Sequence, residues 1–195
     1  MFMRKIYARQ SDPADRHKPA PAGRSDEPIG DPLLAVMELL TVASALPLVL
    51  LTTAVLLVVP VERRAWGILG LAFSVMFAGT TCGVHLVELT AGRQLGSHGL
   101  VWPSAPYAVE LLAWDFFLCI SQIFVAVALD PMRAPPLLRR LVVITGALCL
   151  IGLVGAAVGK MRLQMIGVLG SAVFLPATAV GFARWFRNEG HARAA

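Results

Sequence analysis

The sequence predicts an all-α integral membrane bundle of five transmembrane helices, and three observations lead there. Hydrophobic residues make up 57% of the chain and charged residues only 15%, with a mean hydropathy of +0.71. A water-soluble domain this apolar could not keep a wettable surface. Five stretches reach the roughly 20 apolar residues that cross a hydrocarbon core of about 30 Å at 1.5 Å per residue. The Lys and Arg residues cluster between those stretches, as they do around membrane spans. Lipid-exposed backbone must satisfy its own hydrogen bonds, so spans of this length are helices.

Residues 1–32 are rich in Pro, Gly, Asp and Arg, a composition that cannot pack, and are expected to be disordered. The first span, 33–59, is longer than a signal-peptide core and lacks a small-residue cleavage site, so it reads as a transmembrane helix that also targets the chain. Pro47 should kink it. The second span covers 66–89, the third 107–129, the fourth 141–159 and the fifth 165–186, with Pro176 as a second kink. The connections VERRA, TAGRQLGSHGLVWPSAP and DPMRAPPLLRR carry charges and turn formers, and the short KMRLQ makes spans four and five an antiparallel hairpin. Residues 187–195 form a short basic tail. Small residues four apart, Gly79 with Gly83, Gly155 with Gly159 and Gly167 with Ser171, suit close helix packing. Trp66 and Trp185 fall at one membrane boundary, and Trp102 and Tyr107 at the other.

The net charge of +5 does not indicate nucleic acid, because the basic residues flank apolar runs and form no stripe. The partner is the lipid bilayer, with another membrane protein or a second copy of the chain as further candidates. Cys82, Cys119 and Cys149 lie in different apolar runs with no CxxC pairing and read as small buried hydrophobes. Eight basic residues flank the side of VERRA, DPMRAPPLLRR and the C-terminus, against six on the other, which leans toward a cytoplasmic C-terminus.

The stretch FAGTTCGVHLVELT raises the functional question, since it puts Cys82, His85 and Glu88 three apart in an apolar run. An ionisable side chain inside a span costs about 2.5 to 3.5 kcal/mol, so it faces protein or water and has a partner. Glu38, His85, Glu88, Glu110 and Asp115 all lie in spans. Antiparallel topology brings the start of span one, the end of span two and the start of span three to one face, so all five share one leaflet. A helical period places Asp115, Cys119 and Gln122 on one stripe and aims Glu110 elsewhere. The polar face of span two is therefore expected to turn toward Asp115 and Glu38. Glu38, His85, Glu88, Glu110, Trp114, Asp115 and Gln122 are the candidate ligand-binding residues. Cys82, His85 and Asp115 are candidate metal ligands, for which copper or zinc would be suitable. A proton relay, or ion pairs that fix helix register (His85 with Asp115, Glu88 with Arg93), would use the same side chains.

Several chemistries are set aside. His85 is the only histidine in a span, which disfavours haem held by two histidines. No lysine lies within a span for a retinal Schiff base, and Gly-x-Ser-x-Gly, His-Glu-x-x-His and phosphate-loop motifs are absent. No catalytic residue is assigned.

VHLVELTAGRQL, WPSAPYAVELLAWDFFL and GKMRLQMIGVLGSAVFLP together resemble small multi-spanning bacterial membrane proteins with no assigned activity, over roughly residues 78–180. The resemblance implies a helical bundle in a bacterial inner membrane. CGVHLVEL is also similar to the Cys and His helix that holds copper in ethylene receptors, with a spacing of three rather than four from Cys82 to His85, its acidic residue after the helix, and no signalling domain following. Two function classes result: a membrane-embedded protein binding a small ligand, cation or metal in a transport-accessory or sensory role, or an assembly subunit whose polar cluster serves packing. An enzyme ranks third.

Overall fold

The computed structural model describes residues 32–95, 102–129 and 134–194. The expected disorder of the N-terminal tail and the middle of the TAGRQLGSHGLVWPSAP connection lie outside the described residues. Five helices long and apolar enough to cross a membrane follow one another: α1 (Leu33–Val58), α2 (Val61–Gly92), α3 (Ala105–Ala128), α4 (Pro136–Ala157) and α5 (Met161–Asn188). Large apolar side chains also cover the outside, with Leu40 64%, Leu50 69% and Leu57 75% exposed. A helix that is apolar all round needs a nonaqueous environment on its outer face, and the chain is a multi-pass membrane protein.

Boundaries depart from expectation where arginines had been assigned to loops. Helix α4 begins at Pro136 rather than 141, with the proline in the first turn, where its missing N–H costs nothing. Helix α2 opens with a short 3-10 turn at Val61–Arg63. Helix α5 begins at Met161, so most of KMRLQ is helical, and its backbone stays helical through Ala194 instead of ending at 186. Pro47 sits inside an uninterrupted α1. Pro176 lies just after a π turn at Gly170–Phe174, a widened turn that accommodates the proline ring against the preceding carbonyls.

Helix α3 is the central element: 56% of its apolar window is buried, against 22% to 33% in the other four. One core cluster, with Val55, Val125, Leu129, Leu138, Val142 and Phe182, fills the end where α3 terminates. A second, around Ala45, Leu48, Phe77, Ala113, Leu118 and Leu175, fills the middle. Trp185, expected at an interface, is only 7% exposed and packs on Phe182. Polar ties cross between helices within the apolar part of the bundle: Ser121 Oγ donates to the Gly70 carbonyl at 2.8 Å, and the Thr145 and Thr178 hydroxyls meet at 3.2 Å. Such interhelical bonds hold spans together where lipid competes for apolar contact.

The α4–α5 hairpin closes through glycines. A methyl on Gly152 would stand 2.6 Å from the Gly167 Cα, and one on Gly155 would collide with the Gln164 backbone. Gly159 takes φ +70° in the turn. The expected partners Gly79 and Gly83 face open space, so neither glycine makes a close approach to another helix among the described residues.

A prediction follows from that contrast. Gly155→Val forces backbone apart and should lower unfolding stability in detergent by about 1 to 3 kcal/mol. Gly79→Ala should leave it within about 0.5 kcal/mol of the parent. Equal effects at the two positions in a denaturant titration would contradict the packing described.

Candidate functional site

The site lies at the end of the bundle where α1 and α3 begin and α2 ends. Glu38 is on the second turn of α1, His85 and Glu88 are on the last turns of α2, and Glu110, Trp114 and Asp115 lie in the first half of α3. Glu38 (3% exposed), His85 (7%) and Asp115 (2%) are buried.

One imidazole joins three helices. His85 Nδ1 is hydrogen-bonded to Glu38 Oε2, and Nε2 to Glu110 Oε1 at 2.9 Å. The Trp114 indole N–H donates to that same Glu110 oxygen. Glu110 Oε1 is thus shared by the imidazole and the indole. Glu110 Oε2 is buried and has no hydrogen-bond partner among the described residues. Glu88 is buried in the π turn Glu88–Gly92.

Glu110 was expected to point away from Asp115, and the structure corrects this. A π turn at Leu112–Phe117 interrupts α3. Its hydrogen bonds span five residues, so positions five apart align instead of standing about 140° apart. Glu110 and Asp115 consequently line the same cavity.

That cavity, about 320 Å³ and half open, lies between the first turns of α3 and α5. Glu110, Asp115, Trp114, Tyr107, Gln164 and Ser171 supply its polar and aromatic wall, and Leu111, Val168 and Ala172 its apolar wall. Among the described residues no Lys or Arg lines it. From Tyr107 to Asp115 it reaches about 12 Å along the helix axis. Gln164 Nε2 donates to Asp115 Oδ2 at 3.4 Å, and Gly167 leaves the room, since a methyl there would stand 2.5 Å from Asp115 Oδ1.

The candidate residues therefore divide. Glu38, His85, Glu110 and Trp114 form one network, and Asp115 joins it across the cavity wall without pairing with His85. Gln122, although buried, packs with its Cβ toward Gly146 of α4, and its Oε1 finds no partner. Cys82 packs against the middle core. Among the described residues no group of three His, Cys, Asp or Glu side chains has an arrangement that could hold a metal ion; both ring nitrogens of His85 are engaged by carboxylates. Gln164, Tyr107 and Ser171 were not identified as site residues; Gln164 had been read as loop. Comparison with family models, curated proteins and solved structures gives no match.

Removing the imidazole leaves two buried carboxylates facing each other. His85→Ala should lower stability by about 3 to 5 kcal/mol, and adding Glu38→Gln and Glu110→Gln should restore most of that loss. A single variant as stable as the parent in the same denaturant titration would show that the bridge holds nothing.

Proposed function

We propose that this protein binds a small organic cation in the cavity between α3 and α5, as a transport-accessory or sensory protein of a bacterial inner membrane with its C-terminus in the cytoplasm. The observation that carries the reading is a half-open cavity lined by two carboxylates, Glu110 and Asp115, and by no basic side chain among the described residues. A buried carboxylate in a membrane requires a compensating charge or a proton. The volume of about 320 Å³ falls at the lower end of small-molecule pockets. Its apolar wall and the rings of Trp114 and Tyr107 suit the carbon skeleton of an ammonium ion, whose charge is attracted to ring faces.

Asp115 carries the specificity on this reading, because Glu110 is already held by His85 and Trp114. In thermal unfolding of detergent-purified protein, methylammonium or tetramethylammonium should raise the melting temperature, the underlying stabilisation reaching about 2.7 kcal/mol at a hundredfold excess over Kd. Potassium, zinc and copper salts run beside them distinguish an organic cation from an inorganic one. Asp115→Asn should abolish the response while the protein keeps its helical circular-dichroism spectrum.

A second reading, an assembly subunit whose polar cluster fixes helix register, is favoured by the complete engagement of His85 by Glu38 and Glu110 and by the outward-facing Gly79 and Gly83 of α2. It expects no cation to shift the melting temperature, and Asp115→Asn to lower it unaided.

A further inference from the structure

The opposite end of the bundle carries a different chemistry. Arg63 precedes the long α-helical part of α2, and Arg139 and Arg140 lie in the first turns of α4. Arg63 Nη1 donates to the carbonyls of Val127 at 2.8 Å and Leu129 at 3.2 Å. It caps the end of α3, a placement favoured by the negative end of the helix dipole. Those contacts orient the guanidinium without neutralising it, and among the described residues the side chains of Arg139 and Arg140 make no hydrogen bond or salt bridge.

Arg139 stands between two grooves. One, of about 360 Å³, is lined by Arg63, Arg139, Ile123, Ala126, Val127 and Val143. The other, of about 390 Å³, is lined by Arg139, Arg140, Pro136, Val143 and Ile144. The Arg139 Nε is buried and has no acceptor among the described residues, an omission that costs about 1 to 3 kcal/mol unless something accepts from it. The groove walls between the arginines are exposed apolar residues of the spans, Val143 at 50% and Val127 at 42%.

We infer that this end binds an anionic phospholipid, its phosphate held between Arg63 and Arg139 and its acyl chain lying along Ile123, Val127 and Val143. A guanidinium fork matches two phosphate oxygens at once, which supplies the acceptor that Arg139 Nε lacks. The grooves begin at the helix ends, where a headgroup sits, and continue down the outer face of the spans, where a chain sits. A soluble anion would use the arginines and leave the apolar walls unexplained. Basic pockets between spans recognise acidic headgroups in this way.

Native mass spectrometry of the full-length protein, in detergent with equal phosphatidylglycerol and phosphatidylcholine of identical acyl chains, tests the inference. The protein should retain phosphatidylglycerol over phosphatidylcholine by about fivefold or more, the factor expected from one basic residue near a membrane surface. Arg139→Gln should reduce the preference about fivefold, and Arg139→Lys should keep part of it. Arg140→Gln, at an exposed position on the second groove, should reduce it as well and serves if Arg139→Gln loses its helical spectrum. Equal retention of the two lipids, an unchanged preference in both glutamine variants, or displacement of the lipid by millimolar inorganic phosphate would each overturn the assignment, the last by revealing a site for the free anion.

Discussion

The architecture depends on one histidine held between two carboxylates. Glu38, His85 and Glu110 come from three different helices, and each alone would cost about 2.5 to 3.5 kcal/mol inside a membrane. Joined, they fix the start of α1, the end of α2 and the start of α3 relative to one another, because shifting any helix by one residue strands a charge. The Trp114 indole, donating to Glu110 and packed edge-on against Phe77 at 4.9 Å between ring centres, ties that polar end to the apolar core below it. The core clusters come from five helices that also present apolar faces outward. Shape alone would leave such helices free to slide and rotate, and directional polar contacts remove that freedom.

The bundle is consequently asymmetric. Acidic groups collect at one end around a cavity with no basic lining among the described residues, and Arg63, Arg139 and Arg140 collect at the other. Between them α3 is the most enclosed helix, and its π turn brings Glu110 and Asp115 into line. The hairpin of α4 and α5, closed through glycines, supplies Gln164 and the opposite wall. The same backbone proximity that lets Gly152 meet Gly167 brings Gly167 against Asp115, so the packing of the hairpin and the shape of the cavity are one constraint.

The sequence is most legible where composition decides. Five spans follow from apolar length, and the clustering of Glu38, His85 and Glu110 at one end follows from antiparallel topology. It is least legible where local backbone geometry changes the period. The alignment of Glu110 with Asp115 depends on a π turn, and LLAWDFF contains no proline or glycine to announce it. Arg139 and Arg140 were assigned to a loop by their charge, whereas long side chains at a helix end extend to the interface from within the helix. Gln164 was lost in the same way, within KMRLQ. The spacing of Gly79 and Gly83 matches that of a packing face, yet sequence spacing does not tell whether a neighbouring helix stands opposite.

The central claim, that one imidazole bridges Glu38 and Glu110, is tested most directly by solid-state NMR of the protein in lipid bilayers, labelled with 15N in histidine rings and 13C in glutamate side chains. His85 signals are identified by their loss in His85→Ala. The account predicts through-space cross-peaks from Nδ1 of His85 to the Glu38 carboxyl carbon and from Nε2 to that of Glu110, each lost in the matching glutamine variant. His85 ring nitrogens with no glutamate carboxyl carbon near them, in a protein that retains its helical spectrum, would contradict it.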